Sequence, residues 1–132
     1  MLPADLIILL VAIPLAAGIL STLFRDWVEA QRLIGVVALV SCLGLAIHWM
    51  VFAASGDFIV TQVGGWPAPY GISVVFDALA GVLIIAANAV ALACYLHAFG
   101  SLKPGHEKGW FHPLFMFLML GVNFSLITGD LF

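Results

Sequence analysis

The chain has 132 residues, of which 64% are hydrophobic and only 8% are charged, and its formal net charge is -3. A water-soluble domain of this size cannot bury so much apolar surface, so the composition predicts a membrane protein. Four Lys and Arg residues in all, with no basic patch among them, argue against a nucleic-acid-binding surface.

Four apolar stretches are long enough to cross a hydrocarbon core as helices, since a core of ~30 Å needs about 20 helical residues. They lie at residues 6–24, 33–54, 74–99 and 110–128. The segment before the first stretch contains Asp5 and no Lys or Arg, which favours a retained span over a signal peptide. We therefore expect one all-α membrane domain, residues 1–132, with four transmembrane helices.

The four basic residues predict the orientation of the chain. Arg25 and Arg32 flank the first gap between spans, whereas Lys103 and Lys108 lie in the third gap. Cytoplasmic loops near membrane-spanning ends retain Lys and Arg, so both gaps are expected inside the cell. The middle loop and both termini are then outside, and a bacterial plasma membrane is the expected location.

The first two spans contain three residues of interest. Pro14 removes a backbone hydrogen bond and should kink its helix, which is tolerated where a neighbour satisfies the freed carbonyl. His48 lies about 22 Å from the inner surface at 1.5 Å per residue. It could relay protons or simply be hydrogen-bonded by a neighbour, and the sequence leaves both roles open. Cys42, like Cys94 in the third span, is expected to pack as a small apolar residue without a disulfide.

The loop at residues 55–73 predicts a short external β-hairpin between the second and third helices. Residues 58–63 are rich in β-branched side chains, and residues 72–75 form a second apolar run. The two glycines between them can supply positive φ angles. The stiff, amphipathic turn suits the membrane interface or a partner subunit, and its residues are Gly64, Gly65, Trp66, Pro67 and Tyr70.

The polar residues of the last two spans are candidates for a proton or cation path. Asp77 is the only acid in a predicted span, about 5 Å deep, where it could equally favour the positive end of its helix dipole. Asn88 and Asn123 could bridge helices or line a hydrated cavity. With His48 and Asp130, these residues complete the set of path candidates.

Other chemistry has little support in the sequence. A bis-histidine haem would need two histidines at one depth, and only His97 and His112 could share a level. The sequence has no glycine-rich phosphate loop, no paired Cys and His spacing and no nucleophile with an evident base. We therefore expect no cofactor, no metal site and no catalytic residue.

Two motifs go beyond generic membrane features. The string GGWPAPYGI at residues 64–72, followed by the helix containing Asp77, closely resembles the start of the D subunit of Mrp-type multisubunit cation/proton antiporters. Asn123 with TGDLF at residues 128–132 resembles the segment that leads into the fifth helix of that family. The resemblance covers essentially the whole chain in order: two helices, an external hairpin loop and two more helices.

The resemblance implies a membrane subunit, or its N-terminal part, in an antiporter complex. Its partners would be membrane lipid, other membrane subunits, and the exchanged H⁺ and Na⁺ or another monovalent cation. In the family, a buried glutamate of the fifth helix and a buried lysine of a later helix belong to the proton path. Neither has a matching position here, so the implied role is a scaffold around that path.

Three alternatives stay open at this stage. The same superfamily includes antiporter-like, proton-pumping subunits of complex I-type NADH dehydrogenases and of membrane-bound hydrogenases. A structural or assembly protein of the membrane is the second alternative. A small four-helix exporter acting as a dimer is the third, although the first span lacks the buried glutamate on which such proteins rely.

Overall fold

The computed structural model describes residues 4–56, 58–66 and 70–129 of the chain. It contains four long helices: α1 (Leu9–Leu23), α2 (Val28–Ala53), α3 (Ala78–Ser101) and α4 (His112–Ile127). A 3-10 turn, Ala4–Ile8, precedes α1. Between α3 and α4 the chain forms a helical turn at Pro104–His106 and a wide π-helical segment at Glu107–Phe111.

Four stretches of the described chain are long and apolar enough to cross a membrane: Leu6–Leu23, Val28–Ala53, Ala78–Ser101 and Pro104–Ile127. Large apolar side chains remain exposed along them, for example Leu23 at 74% and Val51 at 68%. Such surfaces suit a hydrocarbon solvent, in which helices satisfy every backbone polar group internally. The expected architecture of four transmembrane helices with a hairpin after the second is confirmed.

The bounds of three helices differ from those expected from hydropathy. α2 begins at Val28 instead of residue 33, because a helix can continue past its apolar stretch and Glu29 is favourable in a first turn. α3 begins at Ala78 instead of residue 74, because residues 73–76 form a strand. The fourth span begins at Pro104, and proline is well suited to a first helical turn.

The hairpin consists of β1 (Ile59–Gln62) and β2 (Ser73–Phe76), which pair antiparallel. Phe76 and Val74 of β2 are fully buried, so one face of the hairpin packs on the helices. The residues just after α4 form an isolated bridge with β2, in which the Gly129 amide donates to the Ser73 carbonyl at 2.9 Å. The hairpin is therefore attached to the bundle in two ways, by side-chain packing on the helices and by a backbone hydrogen bond to the end of α4.

The core has two parts. One lies near the hairpin and includes Leu10, Trp49, Phe76 and Ile84; we call this end of the bundle the hairpin end. The other contains Leu39, Ala91, Tyr95, Met116 and Met119 and lies toward residues 24–27 and 102–111, which we call the basic end.

Two glycines allow helices to approach closely. A Cβ atom at Gly18 of α1 would come within 2.7 Å of the Phe117 ring of α4. A Cβ atom at Gly35 of α2 would collide with the Tyr95 side chain of α3. Small residues at such crossings are the usual means of bringing membrane helices together.

Candidate functional site

The two asparagines predicted as path candidates meet in the bundle. Asn88 of α3 and Asn123 of α4 are both fully buried. The Asn88 Nδ2 atom donates to Asn123 Oδ1 at 2.8 Å and to the Ile84 carbonyl at 2.9 Å. The Asn123 amide in turn donates to the Leu10 carbonyl of the first span at 2.9 Å. The pair thus joins α1, α3 and α4.

The contact with Leu10 follows from a proline one turn later. In an α-helix the Leu10 carbonyl would accept from the amide four residues on, but position 14 is Pro14 and has no N–H. Asn123 supplies the missing donor from α4, and Cys42 Sγ also approaches the same oxygen at 4.0 Å. A kink at a proline is tolerated where neighbouring helices or waters satisfy the freed carbonyl, and here a neighbouring helix does so through Asn123.

Asp77 forms the N-cap of α3. Its carboxylate accepts from the Ala80 amide at 2.7 Å, which satisfies one of the free N–H groups at the start of the helix. The side chain is exposed and lines an open pocket of about 340 Å³ together with Leu83 and Thr128. Of the two roles that the sequence left open for Asp77, the geometry favours the one at the helix terminus.

His48 lies among aromatic rings on α2 and is partly buried. Its ring centroid is 5.4 Å from that of Trp49 and 5.3 Å from that of Phe52, both in edge-on arrangements. The Nε2 atom has no hydrogen-bond partner among the described residues. His48 therefore makes no Nε2 contact with the other path candidates in the described part of the chain.

The hairpin turn is exposed as far as it is described. Trp66 is 66% exposed and Tyr70 is 85% exposed, while Gly65 has a positive φ of 71°. Gly64 belongs to a short 3-10 turn that follows β1. Pro67 of this predicted contact surface and the path candidate Asp130 lie outside the described residues.

A charged cluster at the basic end was missed by the sequence analysis. Glu107 is only 4% exposed. Its two carboxylate oxygens accept from Arg32 in a fork: Nε to Oε1 at 2.6 Å and Nη2 to Oε2 at 2.8 Å. Arg32 also pairs with Glu29 at 2.9 Å, and its guanidinium lies 5.0 Å from the Phe99 ring centre. Forked Arg–carboxylate pairs are strong and geometrically specific.

Two further polar side chains extend this cluster into the core. His112 and Tyr95 are both fully buried, and His112 Nδ1 lies 2.6 Å from Tyr95 Oη. The Tyr95 hydroxyl also donates to the Gln31 carbonyl at 3.1 Å. On the other side of the ring, His112 Nε2 lies 3.5 Å from Glu107 Oε1.

The buried Gln31 side chain ties the start of α2 to the end of α1. Its Nε2 atom donates to the carbonyls of Phe24 at 3.1 Å and Arg25 at 2.8 Å. These carbonyls follow the last turn of α1, and the Phe24 carbonyl also accepts from the Trp27 amide at 2.9 Å. The segment between α1 and α2 is thus fixed by side-chain hydrogen bonds.

Local backbone geometry allows Glu107 to face inward. The chain widens into π-helical turns at Glu107–Phe111, where Gly109 leaves helical geometry with φ -84° and ψ -123°. Such wide turns are rare in proteins, and where they occur they are often at functional sites. The available sequence signal was charge complementarity, because Arg32 and Glu107 lie in gaps expected on the same side of the membrane. No group of three or more His, Cys, Asp or Glu residues in the described chain could hold a metal ion.

No family model matches the chain, but known proteins resemble it over almost its whole length. It is 36% identical to the D subunit of the Na(+)/H(+) antiporter of Alkalihalophilus pseudofirmus, over 97% of this chain and 26% of that protein. It is 34% identical to the N subunit of NADH-quinone oxidoreductase of Desulforudis audaxviator, over 98% of this chain and 26% of that protein. A solved structure of the Mrp complex from Dietzia sp. DQ12-45-1b superposes with a TM-score of 0.88 at 25% identity, over 99% of this chain and 24% of that chain.

The chain spans about a quarter of the length of the relatives it matches. Both the sequence likeness and the superposition agree with the resemblance drawn from the GGWPAPYGI and TGDLF motifs. The chain is a multi-pass membrane segment that is like the D subunit of Mrp antiporters and corresponds to an N-terminal portion of such a subunit.

Proposed function

We propose that the chain is the N-terminal part of a membrane subunit in a multisubunit monovalent cation/proton antiporter, where it scaffolds the proton path. The observation that carries this proposal is the superposition on an Mrp complex over 99% of the chain with a TM-score of 0.88. Its own residues support a structural role. The buried polar contacts between Asn88, Asn123 and the Leu10 carbonyl hold three helices together.

The exchanged ions and the membrane orientation belong to the same proposal. H⁺ and Na⁺, or another monovalent cation, would be exchanged by the complete complex, with lipid and other membrane subunits as partners. The distribution of basic residues supports a bacterial plasma membrane topology with the hairpin and both termini outside. The exposed Trp66 and Tyr70 of the hairpin would then face the outer interface or a neighbouring subunit.

A respiratory proton pump is the second candidate, because an N subunit of NADH-quinone oxidoreductase is 34% identical to this chain. The two candidates differ in their partner subunits and in redox coupling. A stand-alone structural or assembly protein of the membrane would have neither kind of partner.

Purification of the tagged chain from its native membrane distinguishes these functions. We expect hydrophobic antiporter subunits to co-purify with it, without flavin or iron–sulfur absorbance. Flavin and iron–sulfur spectra in the purified complex would favour the respiratory pump, and a chain purified alone would contradict both.

The same membranes allow transport to be measured. Everted vesicles energised by respiration should lose their internal proton gradient when Na⁺ or K⁺ is added. Asp77→Asn keeps an oxygen that can cap α3, so assembly should be unchanged. Antiport that also stays unchanged would remove Asp77 from the proton or cation path, whereas antiport lost from an assembled complex would place it there.

A further inference from the structure

The cluster at the basic end contains a buried imidazole nitrogen without a hydrogen-bond partner. His112 Nε2 is completely inaccessible and unpartnered among the described residues. The nearest acceptor is Glu107 Oε1 at 3.5 Å. A bare ring nitrogen there would point a lone pair at a carboxylate oxygen, whereas a protonated one would donate toward it.

The other ring nitrogen is constrained by Tyr95. The Tyr95 oxygen lies 2.6 Å from His112 Nδ1 and 3.1 Å from the Gln31 carbonyl. A carbonyl only accepts, so the contact with Gln31 uses the single hydroxyl proton of Tyr95. His112 Nδ1 must then carry its own proton and donate to the Tyr95 oxygen. With protons on both nitrogens, every contact from Gln31 to Glu107 joins a donor to an acceptor.

A neutral ring with its proton on Nδ1 keeps the contacts with Tyr95 but turns a bare Nε2 toward Glu107, whereas a neutral ring with its proton on Nε2 requires a different arrangement of the same atoms. With its proton on Nε2, His112 accepts from the Tyr95 hydroxyl at Nδ1, and the hydroxyl no longer donates to Gln31. The two arrangements differ by one proton on the imidazole and by the direction of one hydroxyl. No other bond needs to form or break between them.

The carboxylate beside the ring favours the proton. The groups that face the ring are Tyr95 from α3, Glu107 from the connection before α4, and Arg32 from α2. The Glu107 carboxylate, 3.5 Å from His112 Nε2, favours an imidazolium, whereas the Arg32 guanidinium opposes it. The attraction to Glu107 offsets part of the desolvation cost of placing a charge in the interior.

We propose that His112 is a proton-binding site at the basic end of the bundle, with Glu107 as its counter-ion and Tyr95 as a hydroxyl that reorients when the proton enters or leaves. The proton comes from water at the basic end and adds to the imidazole lone pair. The site is built from α2, α3, the segment before α4 and the first residue of α4, and it is separate from Asp77 at the hairpin end. It does not depend on which partner subunits the chain has.

The direct test is ¹⁵N NMR of the whole chain in lipid nanodiscs with labelled histidine. His112→Gln assigns the signal. We expect both His112 nitrogens to become protonated as the pH is lowered from about 8 to about 5, the interval in which histidine side chains ordinarily change charge. A His112 signal that stays neutral throughout that interval would overturn the proposal, and this measurement needs no variant other than the one used for assignment.

Variants test the roles of the neighbours. Glu107→Gln removes the counter-ion, so the midpoint should fall by at least about one pH unit, a tenfold weaker binding of the proton. Arg32→Gln combined with Glu107→Gln should lower the midpoint by less than Glu107→Gln alone, because it also removes the guanidinium that opposes the proton. Tyr95→Phe should lower it by removing the acceptor of the Nδ1 proton.

The matched control is His97→Gln. His97 is exposed on α3 and pairs with Ser101 at 2.8 Å, so its loss should leave the His112 midpoint unchanged. Unaltered signals from the other histidines report that each variant is folded. A His112 midpoint that does not move in folded Glu107→Gln would overturn the assignment of Glu107 as counter-ion and, with it, the proposed site.

Discussion

Replacing Asn123 with leucine should destabilise the bundle, because the Leu10 carbonyl of the first span then loses its hydrogen-bond donor. Asn123 accepts from Asn88 at 2.8 Å and donates to the Leu10 carbonyl at 2.9 Å, and leucine of similar volume makes neither bond. Buried hydrogen bonds between membrane helices contribute about 0.6 kcal/mol on average and up to about 1.7. Losing both bonds should therefore lower the free energy of unfolding by about 1–3 kcal/mol.

Pro14 provides the internal test of this reasoning. Pro14→Ala introduces an amide that can donate to the Leu10 carbonyl within α1. In the Pro14→Ala background, Asn123→Leu should lower the free energy of unfolding by roughly half as much as in the unaltered chain, because only the contact with Asn88 is then lost. The difference between the two costs is the coupling energy of a double-mutant cycle, and we expect about 0.5–1.5 kcal/mol.

Reversible unfolding in SDS with mixed micelles, followed by circular dichroism, measures these free energies. Ser125→Ala is the matched control on α4, since Ser125 is exposed and its hydroxyl donates to the Val122 carbonyl of its own helix. It should change stability by less than about 0.5 kcal/mol. Equal costs of Asn123→Leu with and without Pro14 would refute the idea that Asn123 compensates for the proline.

Three further predictions concern packing, charge pairing and capping. Gly35→Ala should lower the free energy of unfolding by about 1–3 kcal/mol, because the added Cβ collides with Tyr95 of α3. Gly44→Ala on the same helix is the control: its added Cβ meets nothing within 4 Å, so it should be neutral or stabilising in the same unfolding assay. Arg32→Lys should weaken the bundle, since lysine cannot form both bonds of the fork to Glu107, and a double-mutant cycle with Glu107→Gln should show that the loss depends on the carboxylate. If Arg32→Lys costs the same without the carboxylate, the fork is not responsible. Asp77→Ala should lower the free energy of unfolding by about 1 kcal/mol, because the cap of α3 is lost. Asn can also cap a helix, so an equally large loss for Asp77→Asn would argue against capping as the role of Asp77.

The four spans were predictable because lipid is a demanding solvent. A segment that crosses hydrocarbon must be helical and must be about 20 apolar residues long, and both conditions can be read from the order of residues. The hairpin could also be predicted, since its β-branched run and paired glycines are local sequence signals. The favourable position of Asp77 at a helix terminus needed only the start of α3 to be known within a turn.

The polar clusters were harder to predict for two physical reasons. Asn88 and Asn123 could be named as helix-bridging residues, but their link to Leu10 depends on packing between segments 113 residues apart. Glu107 was overlooked because an acid in a short polar gap is usually solvated. Its burial depends on the π-helical turns that aim it at Arg32, and hydropathy carries no information about turn width.

The forked pair between Arg32 and Glu107 joins residues 75 positions apart, near the start of the second span and near the start of the fourth. The two partners can meet only if they emerge on one side of the bilayer, which requires the two intervening segments to have crossed it in opposite directions. If the third segment were not inserted, the Arg32 guanidinium and the Glu107 carboxylate would lie on opposite sides of the bilayer and could not pair. Incorrect insertion therefore leaves both charged groups unpaired, and this energetic cost arises within the chain itself, without any neighbouring subunit.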